Sequence, residues 1–533
     1  MEEKKKKFIE KIKQNQVKII VIAIILFGCL IRIFNISNIP NALNCDEASA
    51  GYEAYSILNY GIDRNGNFMP SFLVAWGSGQ NALLSYVMIP FIKVLGLTTL
   101  SVRLPMAILG CISLVIFYLL LKKISNQKIA IIGLTFFAIC PWHVMKSRWG
   151  LESNLFPDLI LIFAYLLVKG LEDKNKILYY LSFIVAGLAA YSYGTSYYFL
   201  PVFIIPLLWI LVKKEKITIK EAIISLLIVG IVSLPIVLYV VINTLNLPQI
   251  NLPFLTVPKL EVNRYKELTS IFSSQFFTVA IKNFMDSMKI LILQSDGLPW
   301  NNVIPFGTMY IFSTIFTLIG ICACFKKDKK IEIKYNYLFN VWFIVCIILT
   351  FICEPNINRL NIIMIPIVYY TVIGIYLFIT YFSKKENQKK IAAGLIIIYM
   401  FSFMAFMFKY SQEDCDTYGT FSADLEEVMD YVGNIENKQV YFTNNMNYIY
   451  VLFYTKYDVR NYVETVEYEN KYVEFRKVNS FGNYVFTDFT ELKDENIYVI
   501  NKKDKDKYNL ENHKVTEFKR YLVIEWGNRW KIY

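Results

Sequence analysis

The chain has 533 residues, 55% of them hydrophobic and 18% charged, with a mean hydropathy of +0.40 and a formal net charge of +12. Soluble domains carry about 25% charged residues, so this composition excludes an ordinary soluble enzyme and points to a membrane protein. The positive charge does not mark a nucleic-acid groove. Residues 411–533 hold 16 Lys/Arg against 22 Asp/Glu, whereas the more apolar part before them holds 39 against 21, the pattern of basic loops beside membrane spans.

The N-terminal "MEEKKKK" precedes an apolar run from Ile19 to Phe34, interrupted by Arg32. The run is longer than a signal-peptide core and lacks a small-residue cleavage site, so it reads as an uncleaved first span. Just beyond it, "NCDEASAGYEAYSILNYGIDRNG" (44–66) sets two carboxylates side by side, Asp46 and Glu47. Ala48, Tyr52, Tyr55 and Leu58 then recur at helical spacing. That spacing predicts a short helix lying in the membrane interface, with Asp46 able to cap it. "NALLSYVMIPFIKVLG" (81–96), interrupted by Pro90, predicts a second interfacial helix.

Apolar runs predict further spans near 101–121, 129–142, 155–169, 177–193, 196–212, 221–244, 305–325, 336–353, 360–382 and 391–408, about eleven in all. Residues 245–304 form a second long outer loop with a helix expected around 269–293. In the tail, "ADLEEVMDYVG" predicts a helix, and "KQVYFTN", "NIYVINKKD" and "YLVIEW" predict strands of a small α/β domain. The fold class expected is mainly α, a polytopic helical bundle (1–410, with outer loops 35–100 and 245–304) followed by a soluble α/β domain (411–533).

Alternate loops test this topology. The N-terminus and the loops near 122–128, 169–176, 213–220, 326–334 and 384–390 carry 7, 3, 3, 4, 5 and 4 Lys/Arg, while the short loops between them carry few. Positive charge marks the cytoplasmic side. An odd number of spans then sets the N-terminus inside and the tail outside the cell.

Nine cysteines and two histidines are present, without a CxxC. Cys29, Cys111, Cys140, Cys322, Cys324 and Cys346 fall in apolar runs, where they act as small hydrophobes, and the pattern argues against a zinc site. Cys45 and Cys415 are the pair expected to face outward together.

A carboxylate at the bilayer centre costs about 3 kcal/mol, so Asp46 and Glu47 belong outside the first span but close to it. One reading is a helix cap followed by a first-turn acid; the other is a general base at a lipid–water boundary. More polar residues gather on the same side: His143, Lys146, Arg148, Glu152 and Asn154 in "CPWHVMKSRWGLESN", Arg103 in "SVRLP", Asp296 in "SDGLPWN" and Arg359 in "EPNINR". Several cations and a few acids suit an anionic lipid headgroup. Snorkelling side chains and loop caps are the alternative.

The order of "DEASAGYEAYSILNYGIDRNGNFMP", "WGSGQNALLSYVMIP" and "VLGLTTLSVRLP" resembles the first outer loop of the GT-C membrane glycosyltransferases, nearest the protein O-mannosyltransferases and the aminoarabinose transferases that modify lipid A. "PWHVMKSRWGLESN" and "INRLNIIMIPIVYYTVIG" are similar to later outer-face segments, so the likeness covers residues 17–410. It implies a polyprenyl-phosphate-linked sugar as donor and a lipid, glycan or protein acceptor on the outer face of the plasma membrane. Asp46 matches the catalytic acidic position, with Glu47 as companion, and Arg103 a basic position beside the second span. Arg148, Glu152, Asp296 and Arg359 join the substrate-binding set by location, with Tyr52 and Tyr55 behind the acidic pair. The chain departs from eukaryotic protein mannosyltransferases in lacking a β-trefoil insertion in the second long loop. No cofactor is implied, and a divalent cation stays open because one acidic pair is a thin ligand set. A flippase for lipid-linked saccharides is the competing class, but its ionisable groups belong near the midplane. A membrane anchor for the tail domain leaves most of the spans without a task.

Overall fold

The computed structural model describes residues 2–526 apart from 264–268, 327–330, 382–383, 413–421, 423, 434, 436–437 and 494; Cys415 lies outside the described residues. Each apolar run read from the sequence contains a helix. Seven helices are long and apolar enough to cross a membrane: Asn15–Ile33, Thr99–Ile124, Glu152–Glu172, Ser196–Lys213, Ile219–Leu245, Ile357–Tyr381 and Gln388–Tyr410. An eighth is the bent pair Gln127–Ile139 and Pro141–Ser147, broken by 59°. Pro141 explains the break, since proline disfavours helical backbone in the residue before it and supplies no amide hydrogen. Cys140 is accordingly extended, and Trp142 N donates to Thr308 O at 2.7 Å. The other three expected spans, Lys176–Ala189, Ile311–Lys326 and Asn336–Ile352, are shorter apolar helices. At about 1.5 Å per residue they fall short of a hydrocarbon core of about 30 Å.

The chain forms two compact units. The first comprises residues 1–36, 106–234 and 265–412. Its centre is the helix Ile357–Tyr381, buried along most of its length. Two glycines let it meet Thr314–Lys326 backbone to backbone: a Cβ on Gly374 would lie 1.8 Å from Phe316 O, and one on Gly320 1.8 Å from Tyr370 O. Small residues give membrane helices this close approach. Across the other side, Phe339 stacks on Tyr369 at 3.9 Å and Trp342 Nε1 donates to Ile362 O at 2.9 Å. By contrast, only 17% of the apolar windows of Asn15–Ile33 and Gln388–Tyr410 is buried, and 22% of that of Ile219–Leu245. Water does not tolerate so much contiguous apolar surface, whereas lipid does. The protein is therefore a multi-pass membrane protein.

The second unit comprises residues 37–105, 235–264 and 413–533. Its tail holds a seven-stranded sheet in the order His513–Glu517, Tyr521–Trp526, Ile497–Asn501, Val440–Phe442, Tyr484–Phe486, Val478–Phe481 and Glu467–Tyr468. Val440–Phe442 runs parallel to both neighbours, and the other pairs are antiparallel. The expected tail helix spans Leu425–Gly433, and Tyr498, Ile500, Leu522 and Ile524 form a core on one face of the sheet.

This division differs from a boundary at 410/411, because the tail packs with the first outer loop. Tyr450 Oη donates to Leu43 O at 3.0 Å and Tyr52 Oη to Tyr457 O at 2.8 Å. The helix carrying the acidic pair, Cys45–Tyr60, consequently lacks the exposed apolar face expected of an interfacial helix. It is buried on nearly every side, and a Cβ on Gly51 would meet Val102 at 2.6 Å and Phe453 at 2.9 Å. Its small residues (Ala48, Ser49, Ala50, Gly51 and Ala54) permit that enclosure. Leu83–Leu95 does keep an exposed apolar edge at Val87, Val94 and Leu95.

Candidate active site

Asp46, Glu47, Tyr52, Tyr55 and Arg103 lie in the second unit, whereas Arg148, Glu152, Asp296 and Arg359 lie in the first. The site is built from the start of Cys45–Tyr60. Asn44, not Asp46, is the N-cap: its Oδ1 accepts from Asp46 N at 2.9 Å, and Glu47 Oε2 accepts from Asn44 N at 3.0 Å, closing a capping box. Glu47 is fully buried and bound bidentately by Arg103, with Nε to Oε1 at 2.9 Å and Nη2 to Oε2 at 3.0 Å. The guanidinium also donates to Pro40 O at 2.7 Å and to Ala42 O. Arg103 is itself fully buried. In this structure it is held as an orienting partner of Glu47.

The Asp46 carboxylate accepts from Trp76 Nε1 at 3.3 Å. Trp76 sits in the turn of a short hairpin pairing Phe72–Leu73 with Gln80–Asn81. The turn is tightened by left-handed backbone at Ala75 and by Gly77 and Gly79 at φ +108° and +93°. Ser49 Oγ donates to Gln80 Oε1 at 3.0 Å, which fixes the hairpin to the helix carrying Asp46. Tyr52 is buried with its hydroxyl on the Tyr457 carbonyl, and Tyr55 is half-buried with its ring centroid 6.3 Å from that of Tyr52. Tyr52 thus ties the helix to the tail through its hydroxyl.

Sequence reasoning missed Glu53, Arg64 and Trp76. Arg64 and Glu53 are both buried, with Nε 3.2 Å from Oε1, and Arg64 N donates to Glu53 Oε2 at 2.9 Å. Burial holds the Glu53 carboxyl above its usual range, against the opposing pull of Arg64. Burial likewise raises the thiol of Cys45. No helical or strand spacing links Glu53 to Arg64, so nothing in the sequence pairs them.

In the first unit, the expected cations mostly hold the chain itself. Arg148 is buried and donates to the carbonyls of Ile31, Phe34 (3.0 Å) and Asn35 (3.3 Å), around the C-terminal end of the first helix. Asp296 accepts from Leu298 N, Asn301 Nδ2 and Ile357 N at 3.0, 2.7 and 2.8 Å, the last at the start of Ile357–Tyr381. Lys146 donates to Asn301 Oδ1 and Asn358 Oδ1 at 2.9 and 2.7 Å. Arg148 and Asp296 thus act as ties within the chain. His143 sits 2.6 Å from Arg32 Nη2 through Nδ1 and 3.4 Å from Asp158 through Nε2, which requires the tautomer protonated on Nε2. Glu152 opens the helix Glu152–Glu172, where a carboxylate suits the helix dipole. Arg359 pairs with Glu354 at 2.9 Å. Among the described residues no group of three or more His, Cys, Asp or Glu is placed to hold a metal ion.

Residues 82–242 match the family model of dolichyl-phosphate-mannose-protein mannosyltransferases. No curated protein matches the chain. Among solved structures, ArnT from Cupriavidus metallidurans bound to undecaprenyl phosphate is similar at a TM-score of 0.56 and 9% identity, over 95% of this chain and 97% of that one. The archaeal oligosaccharyltransferase AglB from Archaeoglobus fulgidus, in complex with an inhibitory peptide and a dolichol-phosphate, is similar at a TM-score of 0.51 and 11% identity. That likeness covers 83% of this chain and 64% of AglB. The family model over residues 82–242 and the fold shared with these membrane proteins are thus what the chain is similar to.

Proposed function

We propose that the protein is an integral membrane glycosyltransferase that moves a sugar from a polyprenyl-phosphate donor to an extracytoplasmic acceptor, with inversion and with Asp46 as general base. The observation that carries this reading is the division of labour at residues 44–47. Asn44 and Glu47 close the helix cap and Arg103 takes up Glu47, so the cap does not require the Asp46 carboxylate. In the reaction, Asp46 removes the proton of an acceptor hydroxyl as that oxygen attacks the anomeric carbon. The bond from that carbon to the phosphate oxygen breaks through an oxocarbenium-like transition state. The leaving polyprenyl phosphate departs as an anion and takes no proton, so cations suffice to stabilise it.

The test is the envelope glycan profile of cells with and without this chain, by mass spectrometry: a glycan that disappears with the chain and returns with it is expected. An unchanged profile, with lipid-linked saccharide accumulating on the cytoplasmic side, would favour a flippase.

The topology proposal is tested by impermeant thiol labelling of intact cells, read as gain over the parent chain. Asn479→Cys in the tail is expected to label and Asp328→Cys in the lysine-rich loop to stay protected. The reverse pattern would invert the membrane orientation.

A further inference from the structure

Arg64 is buried to 1% exposure, yet its Nη1 and Nη2 have no hydrogen-bond partner among the described residues. A guanidinium without hydrogen bonds to its terminal nitrogens is costly to bury unless another interaction replaces them. Here the replacement is aromatic: Cζ lies 4.5 Å from the Trp76 ring centroid and 5.7 Å from that of Tyr448. Tyr448 in turn meets Trp76 edge-on, with centroids 5.9 Å apart. Glu53 fixes the other edge of the guanidinium, and Asp63, next to Arg64, is occupied by Asn65 N and Asn67 N at 2.9 and 2.8 Å.

The cation is therefore held against one face of the indole whose N–H reaches Asp46. A cation on a ring face draws on the π density of the ring. Inside a low-dielectric interior such polarisation strengthens the hydrogen bond that the ring donates. Arg64 touches neither Asp46 nor Glu47 in any hydrogen bond or ion pair; its route to the acidic pair runs through Trp76.

We propose that Arg64 is a positioning residue: through Trp76 it orients the Asp46 carboxylate for proton transfer. This rests on Asp46 being the general base. Glu53 holds Arg64, Arg64 holds the indole plane, and the indole N–H holds one Asp46 oxygen.

The test compares three changes in cells lacking the native chain: Trp76→Phe, the charge-balanced pair Glu53→Gln with Arg64→Met, and all three substitutions together. Asp46→Asn runs in parallel. Glycan product is measured in the cells, and undecaprenyl phosphate binding is measured on each purified protein. Trp76→Phe keeps an aromatic face for Arg64 but removes the N–H. It is expected to lower product formation about tenfold to a hundredfold, the worth of a hydrogen bond to a charged group, with carrier binding within about twofold of the parent chain. The charge-balanced pair is expected to do the same. The triple variant should lose no more than either, because both act through one contact. Normal product from Trp76→Phe, losses that multiply in the triple variant, or carrier binding that falls in step with product would each overturn the proposal. If Asp46→Asn abolishes product while Trp76→Phe does not, only the positioning role fails. Normal product from Asp46→Asn would remove the base assignment and this inference with it.

Discussion

Asp46→Asn is expected to lower transfer by about 10²–10⁴-fold, the usual contribution of a general base. An acceptor hydroxyl ionises far above neutral pH, so its attack on the anomeric carbon needs a proton acceptor at the moment of bond formation. Asparagine has the shape of aspartate and retains an oxygen able to accept from Trp76 Nε1, but it takes up no proton. Folding should be spared. Asn44 supplies the cap, Glu47 supplies its return bond, and both remain in the variant. The measurement is glycan product per amount of membrane-inserted protein in complemented cells. Near-normal product would end the base assignment and leave the acidic pair as a helix start. Glu47→Gln is expected to affect transfer less than Asp46→Asn does, because Glu47 serves through its bonds to Arg103 and Asn44.

Arg103→Met should destabilise the second unit by about 3–5 kcal/mol, because it leaves Glu47 as an uncompensated buried carboxylate. The parent pair is enclosed on both sides, with each side chain at 0% exposure, and Arg103 also satisfies backbone carbonyls at Pro40 and Ala42. The methionine fills much of the volume and supplies none of those donors. Thermal unfolding in detergent, followed by tail-domain tryptophan emission, reads the loss. Adding Glu47→Met should recover a large part of it, since a buried pair replaced as a whole by apolar groups is often near neutral. The lost carbonyl bonds set what the double variant does not regain. A single variant as stable as the parent would mean that the pair is solvated, and its orienting role would fall.

The sequence determined the features that follow from local physics. Apolar runs of span length become helices because no other structure satisfies the backbone within lipid, so seven spans and the bent eighth were legible, and three further runs are shorter apolar helices; Leu83–Leu95 and the tail strands Ile497–Asn501 and Tyr521–Trp526 were legible too. The side-by-side carboxylates of residues 46 and 47 marked the place of interest for the same reason, since the spans on either side carry no Asp or Glu. Three things were decided only in three dimensions. Which acid caps the helix depended on a neighbour: Asp46 and Asn44 are both good caps by residue type, and Asn44 takes the task because Glu47 can return the bond at the right spacing. What Arg103 and Arg148 contact depended on burial, because a cation enclosed by the chain must bind the chain, and composition does not reveal enclosure. The Glu53–Arg64–Trp76 cluster joins residues with no common period, brought together by a helix end and a hairpin turn whose register no local rule specifies. Likewise the tail read as a separate domain because its sheet has its own alternation. Its packing against Cys45–Tyr60 depends on contacts about 400 residues apart in the chain, such as Tyr52 with Tyr457, which local sequence patterns do not encode.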